Sequence, residues 1–130
     1  MFRAFVAAAL AAAVFAAPAV ADRAAKPAEK RQIAKAMRAS VVGGGIPDRW
    51  YTIDRQRIST ASSSWAMAWQ RSTKAGEGKF QPAYALLVKL AGTKRWVVVD
   101  LGTALVGCGI APDKVVADLV GPCPPEERIG

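Results

Sequence analysis

Tyr84-Ala85-Leu86-Leu87-Val88-Lys89-Leu90-Ala91-Gly92-Thr93-Lys94-Arg95-Trp96-Val97-Val98-Val99-Asp100-Leu101-Gly102 is the stretch on which the fold turns. Tyr84, Leu86, Val88 and Leu90 recur at every second position, opposed by Ala85, Leu87 and Lys89, which is the period of a strand. Trp96 to Leu101 is β-branched and aromatic, the strongest strand signal in the chain. Ala91-Gly92-Thr93-Lys94 between them is short and carries a glycine, as a hairpin connection does. Parallel neighbours need a long crossover, so the two strands are antiparallel.

Upstream, Trp65, Met67 and Trp69 alternate with Ala66, Ala68 and Gln70, a third strand followed by the polar loop Ser72 to Lys79. Trp50 to Thr60 holds a fourth and weakest one, with Ile53 and Ile58 among Arg55, Gln56 and Arg57. From Asp22 to Val42 the period becomes helical. Ile33, Met37 and Val41 recur at four-residue steps, the first firm turn begins near Pro27, and Gly43-Gly44-Gly45 with Pro47 ends it. Downstream, Gly102, Gly107 and Gly109 break the last strand. Pro112 opens a short helix with Val115, Val116 and Leu119 on its apolar face, and Pro124 to Gly130 reads as a loose tail. The class is α+β: an N-terminal helix packed on a three- to four-stranded antiparallel meander sheet, with a short C-terminal helix tied by a disulfide.

That disulfide follows from the start of the chain. All of the first 21 residues except Arg3 and Pro18 are apolar, and Ala19-Val20-Ala21 before Asp22 is a small-x-small site. This is the layout of a secretory signal peptide cleaved between Ala21 and Asp22. An uncleaved anchor is the alternative, although the run is alanine-rich, at the lower edge of a membrane span and broken by Pro18. Residues 1–21 are therefore expected to be a signal peptide and 22–130 a single exported domain, extracellular or in the periplasm or cell envelope. In an oxidising compartment the pair Cys108 and Cys123 is expected to be bridged. Closing so short a loop stabilises a fold by about 3 kcal/mol in the chain-entropy account.

The chain contains no histidine and only two cysteines. Ser–His–Asp and Cys–His triads, His-ligated metals and Cys₄ or Cys₂His₂ zinc sites are excluded. Gly102 and Gly107 have phosphate-loop spacing, but Cys108 and Gly109 stand where Lys and Ser or Thr are required. The serines from Ser59 to Ser64 form no GxSxG, and no spacing fixes Asp100, Asp113 and Asp118 as an acid–base pair. No catalytic residue, metal ligand or cofactor is assigned.

Charge is more informative. The formal net charge is +8, and between Asp22 and Val99 there are 15 Lys and Arg against 5 Asp and Glu. From Asp100 to Gly130 the balance reverses, 2 against 5. Lys26, Lys30, Arg31, Lys35 and Arg38 on the first helix are the candidate anion-binding residues, with a solvated face as the plainer use of the same charges. Their expected partner is an anionic envelope polymer or lipid surface, held with high salt sensitivity. Another protein is the other partner class. Nucleic acid is not expected, because the aromatics lack an RNP-like arrangement. Trp50, Trp65, Trp69 and Trp96 are expected to pack in the core or on the sheet, sugar stacking being their other use.

Trp65-Ala66, the run Trp96 to Thr103, and Cys108…Pro112…Val115…Asp118-Leu119…Cys123-Pro124 together resemble a group of small uncharacterised secreted two-cysteine proteins of high-GC bacteria. The resemblance spans Trp65 to Pro125. It implies export and a disulfide, and no activity. The leading expectation is an exported, non-enzymatic small domain that binds anionic envelope components through its basic helix. A secreted inhibitor or interaction module for a hydrolase is the alternative, and a hydrolase with an unrecognised carboxylate site comes third.

Overall fold

The computed structural model describes residues 22–40 and 45–129. The expected signal segment, Ala21 of its cleavage site, Val41 of the apolar stripe and Gly43-Gly44 of the helix stop lie outside these residues. Five strands, β1 (Asp22–Ala24), β2 (Tyr51–Ser59), β3 (Trp65–Ser72), β4 (Ala83–Lys89) and β5 (Trp96–Gly102), pair in chain order. Every neighbouring pair is antiparallel. The helices are α1 (Pro27–Ala39) and α2 (Asp113–Leu119). The α+β class and the meander hold, but the sheet has five strands rather than three or four.

The additional strand is β1, a segment whose composition reads as the start of the helix. Pro27 explains the difference. A proline at the first helical position disfavours the α region for the residue before it. Lys26 is accordingly extended (φ −70°, ψ 160°), and the chain upstream runs on as a strand against Arg57, Ile58 and Ser59.

The weak strand β2 owes its poor pattern to a bulge. Ile53 and Ile58 are an odd number of residues apart, which in a regular strand would put them on opposite faces. Between Asp54 and Arg57, β2 advances three residues while its partner moves only two, from Trp69 to Met67. Arg55 sits in this bulge at φ 52°. The extra residue returns both isoleucines to the face beneath α1.

The helices cover opposite faces. Under α1 lie Ala66, Ala68 and Ala85, with no exposed surface, so the helix approaches closely and inserts Ile33 and Met37 beside Ile58, Leu87 and Trp96. Under α2, Met67 and Leu86 meet Val106, Val115, Val116 and Leu119. The Cys108–Cys123 disulfide ties the loop after β5 to the segment following α2, with Cα atoms 5.7 Å apart. The tail is fastened rather than loose. Ile129 N–H donates to Asp113 Oδ1 at 2.8 Å, and Arg128 Nε donates to the Cys123 carbonyl at 2.9 Å. Among the described residues no helix is long and apolar enough to cross a membrane.

Candidate functional site

Each of the three carboxylates weighed as acid–base groups holds backbone amides. Asp100 Oδ2 accepts from Gly107 N–H at 2.7 Å. Gly107 has φ 85°, and a Cβ there would stand 2.8 Å from Leu86 Cδ2, so the turn needs glycine. Asp113 takes the tail amide. Asp118 Oδ2 accepts from Ser59 Oγ at 2.6 Å and from the amides of Thr60 and Ala61 at 3.0 and 3.2 Å. Ser59 Oγ in turn accepts from Ala61 and Ser62 N–H, so the serine cluster forms a turn clamped to α2. Among the described residues no group of three or more His, Cys, Asp or Glu side chains could hold a metal ion.

The basic residues make a different arrangement. The face of α1 turned toward β5 carries Ala28, Gln32, Ala36 and Ala39, small apart from Gln32 and one helical turn apart. Without bulky side chains to fill the space, a trough remains between helix and sheet edge. Its two lobes, about 280 and about 190 Å³, share Gln32 and Trp96. The indole of Trp96, buried in the α1 core, forms the floor. The β4–β5 turn supplies one wall. Leu90 N–H donates to the Arg95 carbonyl at 2.9 Å, Thr93 Oγ1 donates to the Leu90 carbonyl at 2.8 Å, and Gly92 takes φ 71°. This fixed turn brings Lys94 and Arg95 to the trough, and Lys89 joins them with Nζ 5.6 Å from the Trp96 ring centroid.

Lys35 enters from the helix, so four cations from two distant segments line one trough. The carboxylate there, Glu29, is already neutralised. Arg23 Nη1 and Nη2 donate to its two oxygens at 2.8 and 2.9 Å, and Lys26 N–H donates to Oε1 at 2.9 Å. The Arg23 hydrogen bonds, outweighing partial burial, hold the Glu29 carboxyl down at about 2. It therefore carries its charge at any physiological pH, matched by the Arg23 guanidinium.

Of the expected anion-binding residues, Lys35 alone appears in the trough walls. Lys26 precedes the first helical turn, and Lys30 and Arg31 stand exposed elsewhere on α1. Arg38 is engaged by Asp48 at 3.0 Å and lies 5.0 Å from the Tyr51 ring centroid. Lys89, Lys94 and Arg95 were not singled out by helix-centred reading. Their clustering around a glycine turn, opposite an Ala/Gln stripe at helical spacing, was the available signal.

The tryptophans separate clearly. Trp96 belongs to the α1 core and Trp65 packs on the α2 core. Trp50 lies under two cations, with Lys79 Nζ at 4.9 Å and the Arg49 guanidinium at 5.9 Å. Trp69 packs on Tyr84 and belongs to neither core cluster. On the loop after β5, Leu105 is 48% exposed at φ 56°, beside the anchored Gly107. The chain matches no protein-family model, no curated protein and no solved structure.

Proposed function

We propose that this protein is an exported, non-catalytic domain that binds an anionic polymer of the cell envelope in the trough between α1 and the β4–β5 turn. The observation that carries this reading is the placing of Lys89 and Lys94 in one lobe of the trough and Lys35 and Arg95 in the other, the carboxylate among the lining residues, Glu29, being already paired by Arg23. Four like charges held together repel one another, a cost that a bound polyanion removes. A trough favours a polymer over a lipid surface, because a flexible chain can enter a recess and a flat bilayer cannot. The disulfide and the apolar composition of the first 21 residues support export. The trough ranks ahead of the hydrolase-inhibitor alternative because it unites several charged groups, whereas the loop after β5 exposes Leu105 and Ile110 as its large apolar side chains.

Retention on an immobilised polyanion such as heparin, eluted with salt, tests the proposal. Lys94→Glu with Arg95→Glu should weaken low-salt retention by roughly 1 kcal/mol per charge or more. Lys30→Glu with Arg31→Glu, an equal change in net charge away from the trough, should weaken it much less. Equal losses in the two variants would reduce the effect to net charge, and absence of low-salt retention in the unaltered protein would overturn the reading.

A further inference from the structure

On the opposite face of the sheet, where Tyr84 borders the core under α2, one row of cross-strand neighbours differs from the rest. Asp54 of β2 stands opposite Trp69 of β3, Trp69 opposite Tyr84 of β4, and Tyr84 opposite Gly102 of β5. The two rings pack with centroids 4.4 Å apart and planes inclined by 44°. Trp69 is only partly buried and lies outside both core clusters, so its ring is not explained by packing of the core.

Three polar groups border these rings. Arg55, exposed in the β2 bulge at φ 52°, donates from Nη1 to the Tyr84 hydroxyl at 3.4 Å. The left-handed backbone is unfavourable for an arginine, and strain of this kind is concentrated at functional sites. Asp54 Oδ2 accepts from Arg71 Nε at 3.0 Å, whereas Asp54 Oδ1 is buried with no hydrogen-bond partner. The row thus combines an aromatic face with a partly exposed carboxylate, a guanidinium donor and a phenol.

We infer that this row is a saccharide site, with a pyranose ring stacked on Trp69 and its hydroxyls bonded by Asp54, Arg55 and Tyr84. A sugar ring has an apolar C–H face and an edge of groups that both donate and accept. That pairing matches an aromatic side chain bordered by a carboxylate and a guanidinium. An apolar protein partner would desolvate Arg55 and the partly exposed Asp54 carboxylate. The site is separate from the basic trough and takes an uncharged ligand.

Calorimetric titration with chitohexaose and with cellohexaose, in salt high enough to screen the trough, tests the inference on the whole exported domain. Saturable binding of at least one neutral oligosaccharide is expected, weakened about tenfold or more by Trp69→Ala. Arg55→Gly suits the bulge backbone, so it should fold at least as stably as the parent while binding more weakly. Lys94→Glu with Arg95→Glu should bind the neutral sugar unchanged, which separates this site from the trough. No saturable binding of either sugar at millimolar concentration overturns the inference. So does binding that survives Trp69→Ala, or binding lost only with the trough charges.

Discussion

The sheet is covered by a helix on each face, and the two are held by different means. α1 has 13 residues and stays in place chiefly by burying Ile33 and Met37 against a floor of alanines. Its supporting ion pairs, Arg23–Glu29 and Arg38–Asp48, are partly exposed and contribute little individually. α2 has seven residues, too short to be stable alone. Besides burying Val115, Val116 and Leu119, it is fixed by the disulfide, by Asp118 gripping the β2–β3 turn, and by Asp113 holding the tail. The contrast teaches that a short helix, even one that buries Val115, Val116 and Leu119, covers a sheet with tethers added to its burial. A longer one leaves its outer flank free, and there the basic trough forms.

Replacing Cys108 and Cys123 by serine is the strongest way to break this contrast. Denaturant unfolding should show a loss of about 3 kcal/mol. Amide exchange should rise most in α2 and the loop before it, with α1 protected to a similar degree as before. Equal deprotection of both helices would mean that the faces share one cooperative unit.

Asp118→Ala should come next, at about 2 kcal/mol, because it removes the carboxylate that accepts from the buried Ser59 hydroxyl and from the Thr60 amide. Thermal unfolding of Asp118→Ala beside Asp118→Asn checks this, the asparagine variant being expected to retain part of the stability. If the two unfold alike at the parent temperature, Asp118 does not anchor α2.

The smallest effect belongs to the α1 side. Glu29→Gln should cost about 1 kcal/mol or less at neutral pH, since its side chain and that of Arg23 are partly exposed. Glu29 is held at about 2, below its ordinary 4.5. A depressed carboxylate stabilises the folded state fully above the unfolded value. Its contribution is lost as pH falls from about 5 toward 2. The stability difference between parent and Glu29→Gln should therefore shrink through that acid window. A difference independent of pH would remove the Arg23–Glu29 pair from the account of α1.

Much of the architecture could be read locally. The periods of β3, β4 and β5, the proline that starts α1, and the apolar face of α2 each lie within a few consecutive residues. β1 could not be read, because three residues carry no period. β2 was obscured because the Arg55 bulge changes which face each later residue takes. The trough was legible only in pieces. Lys35 sat in a conspicuous basic helix, whereas Lys89, Lys94 and Arg95 read as the edges of a hairpin.

By itself, then, the chain's order of residues determined the meander, the two helices and the pairing of its two cysteines, since hydrophobic period, turn residues and a single possible partner are local or unique properties. Tertiary structure decided which face each helix covers, which charges gather around Trp96, and which tryptophan is left beside Asp54 and Arg55. Those outcomes depend on how closely α1 can approach an alanine-lined sheet and on one inserted residue in β2. Both are consequences of packing between segments far apart in the chain, where no short-range pattern reaches.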